Sequence, residues 1–106
     1  MSRKDRQHIR DAHRRNLRWY ILRMLDAARR YGVSETTMLR ALTDAHLSPT
    51  PSEIRDELTY LDDCGLLTLE REGPEWAAKI KPAGTDIVNY DADCPKGIGR
   101  PPQYLD

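Results

Sequence analysis

The segment TPSEIRDELTYLDDCGLL, residues 50–67, decides how this chain is read. Thr50 stands at an N-cap, Pro51 at the first helical position and Glu53 three residues after the cap. That arrangement lets the cap and Glu53 satisfy each other's free backbone N–H groups. Ile54, Leu58 and Leu61 then recur at helical spacing, and Gly65 offers the stop before Leu66 and Leu67. The grammar is that of the second helix of a helix-turn-helix, running into a strand. Its charge is unusual for that place. From Ser52 to Cys64 there are five acids (Glu53, Asp56, Glu57, Asp62, Asp63) and a single base, Arg55, a net of −4.

Outward from this helix the pattern continues in both directions. Upstream, Ser34 caps a helix whose Glu35 suits the positive end of the dipole. Its apolar face is Met38, Leu39, Leu42 and Ala45, and it stops before Pro49. Further back, Ile9, Ala12, Leu17, Ile21, Leu25 and Ala28 keep helical spacing, with Tyr20, Met24 and Tyr31 beside them. This predicts a helix over residues 16–31, closed by Gly32, with a basic helical extension reaching back to a Ser2/Asp5 start. Downstream, LLTLERE turns Leu67 and Leu69 to one side, GPE makes a turn, and WAAKIK returns with Trp76, Ala78 and Ile80 together. Pro82 can open a short last helix, PAGTDIVNY, and the tail DADCPKGIGRPPQYLD reads as extended or loosely docked.

The expected fold is mainly α with a small β-hairpin: a winged helix-turn-helix with a long N-terminal helix and a short C-terminal one. We divide the chain into a basic extension (1–15), the winged-helix domain (16–90) and a Pro/Gly-rich tail (91–106). The 106 residues suffice for one modest core. No apolar run is long enough for a membrane span, and a chain charged from its third residue is not expected to carry a secretory signal. Cys64 and Cys94, thirty residues apart without CxxC spacing, are expected as reduced thiols of a cytoplasmic protein, although spacing alone leaves a disulfide open.

The chain's formal charge is zero, yet residues 1–30 carry a net of +7 and residues 31–106 a net of −7. Such asymmetry suits a basic arm for nucleic acid, or two surfaces that attract each other between subunits.

The run RWYILRMLDAARRYGVSETTMLRALTDAHLSPTPSEIRDELTYLDDCGLLTL, with IKPAGTDIVNYDADCPKGIGRPP after it, resembles small winged-helix proteins of Mu-like bacteriophages and prophages. Those proteins are often described as ArsR-like transcriptional regulators. The resemblance covers roughly residues 15–102 and rests most on Leu58, Tyr60 and Leu61 with Gly65–Leu67, on Gly84, and on PKGIGRP from Pro95 to Pro101. It implies a DNA-binding regulator. The chain departs from the pattern at Ile80–Lys81, where a threonine cap commonly stands, and it lacks the paired cysteines of metal-sensing relatives. Metal sensing is therefore not expected.

With Ile54, Leu58 and Leu61 inward, the outward face of the third helix is Ser52, Asp56, Thr59 and Asp63, flanked by Arg55 and Tyr60. Bases near phosphates release counterions and acids do the reverse. Arg55 is thus the one guanine-reading candidate, with Ser52 and Thr59 able to touch base or phosphate, and the wing adds Lys79 and Lys81. The densest basic surface is Arg3, Lys4, Arg6, Arg10, Arg14, Arg15 and Arg18. A solvated acidic face is at least as good a reading of the third helix as base readout. The alternative function is an adaptor whose Asp56, Tyr60 and Asp63 meet a basic protein surface.

His8, His13 and His46 lack ligand partners at metal spacing, and Gly97 and Gly99 lack the strand–helix setting of a phosphate loop. No enzymatic activity, cofactor or metal is expected. The sequence reading is a homodimeric, phage-encoded DNA-binding protein of the bacterial cytoplasm, with DNA or a basic protein as its partner and no membrane.

Overall fold

The computed structural model describes residues 2–103. It contains four helices, α1 (Arg3–Ala28), α2 (Glu35–Asp44), α3 (Pro51–Asp63) and α4 (Pro82–Val88). Three short strands complete it: β1 (Val33–Ser34), β2 (Leu67–Glu70) and β3 (Ala77–Ile80). The fold is mainly helical, with one small antiparallel sheet in the order β1-β3-β2.

The expected hairpin is present, with Leu67 opposite Ile80 and Glu70 opposite Ala77. A third strand joins it: Val33 pairs with Ala78 and Ser34 with Ala77, and the Glu35 N–H donates to the Trp76 carbonyl at 2.8 Å. A two-residue strand carries too little alternation to be seen in sequence. Here it ties the start of α2 to the return strand.

The helix caps follow local chemistry. Thr50 and Glu53 form the reciprocal capping box, and Ser34 accepts from the Thr37 N–H. Gly65 takes a positive φ of 75°, as its place after α3 requires. Lys81 caps α4 without a side-chain hydrogen bond, the consequence of the missing hydroxyl. Gly32 does not close α1. The helix ends at Ala28, and Arg29 takes the left-handed turn at φ 55° with its N–H on Asp26 O. At the other end, α1 begins at Arg3, where the Ser2 hydroxyl accepts from the Asp5 N–H. The basic extension and the first helix are therefore one rod of 26 residues, about 39 Å long.

The core lies where α1, α2 and α3 meet over the sheet. Leu17, Ile21, Leu22 and Leu25 from α1 interlock with Met38, Leu42, Ile54, Leu58, Leu61 and Leu67, each at most 1% exposed. Trp19 and Leu22 join a stripe expected to run through Ile21 and Leu25, while Ile9 falls outside it and is exposed. Leu69, Trp76 and Ile80 pack half-buried against the edge of the core.

The tail is not loosely docked over residues 91–103; residues 104–106 lie outside the described residues. Ile98 is buried as part of the core. The Gly99 N–H donates to Arg15 O at 2.8 Å, and Tyr90 Oη donates to Pro101 O at 2.7 Å. Arg100 donates to the carbonyls of Ile87 and Ala92 and lies over the Tyr90 ring. The glycines permit this approach. A Cβ on Gly97 would come within 2.2 Å of Tyr60 Oη, and one on Gly99 within 3.0 Å of the Arg15 carbonyl. The GxG spacing thus serves packing between the tail and α1.

No helix among the described residues is long and apolar enough to cross a membrane.

Candidate functional site

The acidic third helix is less acidic on its surface than its composition suggests. Glu57 stands three residues after Ile54 and four before Leu61, which places it on the buried face, where it is 1% exposed. It therefore adds nothing to the acidic surface of α3, although it is one of the five acids counted there. Two arginines of α1 reach it: Arg14 Nε and Nη2 donate to its carboxylate at 3.1 and 3.3 Å, and Arg18 Nε donates at 3.2 Å. The Glu57 carboxylate holds the Arg14 guanidinium above its ordinary pKa. Arg18 also donates to the Gly97 carbonyl at 2.8 Å and stacks 3.7 Å from the centre of the Tyr60 ring. Burial pushes the Tyr60 phenol upward, and the neighbouring Cys64 thiol adds to the shift. Arg14 and Arg18, expected as phosphate ligands, are thus committed at least in part to the interior, and Tyr60 is half-buried beneath Arg18.

Arg55 is committed as well. Its Nε and Nη2 donate to the two carboxylate oxygens of Glu35 at 2.7 and 2.6 Å. The guanidinium lies 4.5 Å from the centre of the Trp76 ring, and Arg71 lies 5.0 Å from the same ring. Glu35 also accepts from the Trp76 backbone N–H at 2.9 Å. The paired Arg55 hydrogen bonds hold the Glu35 carboxyl below its ordinary range, and Glu35 raises Arg55 in turn. A bidentate pair of this kind takes the Nε–Nη2 fork and ties the guanidinium to the protein, which leaves only its Nη1 side for a base. The one basic candidate for base readout instead joins α2, α3 and the hairpin.

On the outward face of α3, Ser52, Asp56 and Asp63 are exposed, as the helical spacing predicts. Thr59 is half-buried and donates its hydroxyl to Arg55 O at 2.9 Å, so it points along the helix. Asp62 lies 4.0 Å from Arg71, and Glu53 is occupied by the capping box. Asp56 and Asp63, which form no ion pair among the described residues, therefore dominate the face that a recognition helix would present.

The arm at the start of α1 contrasts with this. Every residue from Ser2 to Asp11 is exposed. Arg3, Lys4, Arg6, Arg10 and Arg15 form no ion pair among the described residues, although Asp5 and Asp11 lie on the same helix. Helical spacing sets Arg3, Arg6, Arg10 and Arg14 along one side of the rod. Lys79 and Lys81 are exposed on and beyond β3.

Two features escaped the sequence reading because they are long-range. Glu35 anchors Arg55 across twenty residues, and Lys96 in the tail comes beside Arg14, Arg15 and Arg18. For Glu57 a local signal existed, its position inside the buried stripe. For Lys96 none did. Among the described residues no group of three or more His, Cys, Asp and Glu side chains could hold a metal ion. Cys64 and Cys94 are both free thiols, and burial raises the Cys94 pKa. No protein-family model, no curated protein and no solved structure matches the chain.

Proposed function

We propose that this chain is a phage- or prophage-encoded winged helix-turn-helix protein that acts in the bacterial cytoplasm as a DNA-binding regulator or accessory factor. In this reading it binds phosphates through the basic arm of α1 rather than bases through α3. The three-stranded sheet beside α2 and α3 supports the winged assignment, with β2 and β3 as the wing. The observation that carries the mode of binding is a division among the basic residues. Arg14, Arg18 and Arg55 bond carboxylates, whereas Arg3, Lys4, Arg6 and Arg10 stand exposed on a protruding helix. Contacts of the second kind neutralise phosphate without reading sequence.

The protein acts as a dimer in this reading. Ile9, 56% exposed, and Tyr20, 39% exposed, are eleven residues apart and so share the outer face of α1. Pairing along that face would leave the arms of both copies available to one duplex.

The test is fluorescence anisotropy of a mixed-sequence duplex across a salt series, with the full chain and with Arg3, Arg6 and Arg10 changed to Glu. Binding that weakens steeply with salt and is lost in the triple variant supports the reading. Absence of binding by the full chain at low salt overturns it.

The exposed pair Asp56 and Asp63 favours one second reading, an adaptor whose third helix meets a basic protein surface. Under it, Asp56→Lys with Asp63→Lys breaks a protein complex and leaves duplex binding unchanged.

A further inference from the structure

At the root of the arm, α1 and the tail enclose a shallow cleft of about 310 Å³, lined by Asp11, Arg14, Arg15, Arg18, Lys96 and Gly97. We infer that this cleft holds a backbone phosphate of the bound nucleic acid and that Lys96 is a phosphate ligand. The inference deepens the proposed function and rests on it.

Charge is the first argument. Arg14, Arg15, Arg18 and Lys96 surround the cleft, while Asp11 lines it and Glu57 lies behind Arg14 and Arg18. Among the lining residues four cations face one carboxylate, Asp11; Glu57, Asp56 and Glu53 of α3 also act on Arg14, so the positive excess rests on Arg15 and Lys96. Glu57 accepts only three of the ten N–H bonds that the two guanidiniums offer, and the Gly97 carbonyl accepts a fourth. Arg14 in particular keeps 52% of its side-chain surface exposed. The cleft is thus cationic, rich in unused donors and open to an anion.

Placement is the second. Lys96 reaches this position because the segment around it is pinned on both sides. Gly97 O accepts from Arg18, and the Gly99 N–H donates to Arg15 O, both at 2.8 Å. Ile98 between them is buried. The backbone that carries Lys96 is therefore ordered before any ligand arrives, and only the lysine side chain remains to be fixed on binding.

Shape is the third and selects the class of ligand. Arg3, Arg6, Arg10 and Arg14 lie along one side of α1 and lead into the cleft. Eleven residues of helix span about 16 Å, the axial length of about five phosphates on one strand of a duplex. A straight track that ends in a pocket of donors suits a linear polyanion of regular charge spacing better than a single small anion.

The experiment compares the full chain with Lys96→Ala, Lys96→Arg and the Arg3, Arg6, Arg10 to Glu variant, using anisotropy of a 20-bp duplex between roughly 50 and 200 mM salt. Lys96 is exposed and bonds no protein group among the described residues, so its replacement should leave the thermal midpoint unchanged. The expected result for Lys96→Ala is a salt slope shallower by about one, so that affinity falls about 3.5-fold less across that range than in the full chain. Lys96→Arg should restore the slope.

If the full chain binds and Lys96→Ala has its slope and affinity, the cleft is not a contact, while the arm reading stands. If the full chain does not bind the duplex at all, both readings fall. Two control titrations complete the test. Lys96-dependent binding of polyglutamate without duplex binding would reassign the cleft to an acidic protein. Lys96-dependent shifts in the Gly97 and Gly99 amide resonances with inorganic phosphate, and no effect of the variant on duplex binding, would reassign it to a free anion. Either result overturns the inference.

Discussion

Glu35 and Arg55 form a bidentate ion pair at 2.6 and 2.7 Å that joins the first turn of α2 to the outer flank of α3. The same carboxylate accepts the backbone N–H of Trp76, and the guanidinium covers that residue's ring. One acid and one base therefore hold three elements in register. The arrangement also explains why α3 offers no unpaired cation among the described residues: its single base serves the fold.

The pair should give stability a marked acid limb. Glu35 has a folded pKa lowered from its ordinary 4.5, chiefly by the Arg55 hydrogen bonds. A lowered carboxylate pKa contributes stability that is complete above the ordinary value and is lost as pH falls through the folded one. Arg55 stays protonated throughout, so the titrating partner is Glu35. Glu53, lowered by its bond from the Thr50 N–H, acts in the same direction. Urea unfolding of the wild type and of Glu35→Gln should therefore differ most near neutral pH and converge below the folded pKa of Glu35. A difference that persists unchanged into strong acid would sink this account.

Glu57 should be among the most sensitive polar positions. It is 1% exposed and serves two arginines, one of which, Arg18, has only 11% of its side chain exposed. Removing one member of a buried ionic group strands the others, at a cost of about 3–5 kcal/mol. Glu57→Ala should lower the unfolding free energy by that amount in denaturant titration. A loss under about 1 kcal/mol would mean that water compensates the arginines well.

The tail should behave as part of the core. Ile98→Ala removes a 5% exposed side chain and should cost about 2–5 kcal/mol. Gly97→Ala forces a Cβ against Tyr60 Oη and should release the segment from α1, seen as faster amide exchange at Ile98 and Gly99. Unchanged stability in the first variant and unchanged exchange in the second would place the tail outside the cooperative unit.

The proposed dimer can be tested without DNA. Tyr20→Glu introduces a charge on the outer face of α1 at a residue outside the core. Light scattering coupled to size exclusion should report a dimer for the wild type and a monomer for the variant, with the helical circular dichroism retained. A wild-type monomer at all concentrations would remove the dimer from the proposal.

How much of this was legible in advance follows from the range of each interaction. The capping box at Thr50 and Glu53, the Ser2 and Ser34 caps, the Gly65 stop and the stripes of α2 and α3, apart from Ala45, which is exposed at the C-cap of α2, depend on residues within about four positions of each other. They could be read directly. The α1 stop was misplaced from Ala28 to Gly32 because Arg29 accepts a left-handed turn that glycine usually supplies. β1 was missed because two residues gain their strand character only from pairing with β3.

The sequence by itself determined the helices, the hairpin, the outward position of Ser52, Asp56 and Asp63, and the concentration of basic residues in α1. Tertiary structure alone decided what those charges do. It gave the inward Glu57 its partners Arg14 and Arg18, withdrew Arg55 to Glu35 and Trp76, and brought Lys96 beside α1. The reason is physical: a charge's role depends on which opposite charge it reaches and how much water remains between them. For Glu57 and Arg55 those partners lie from 20 to 43 residues away.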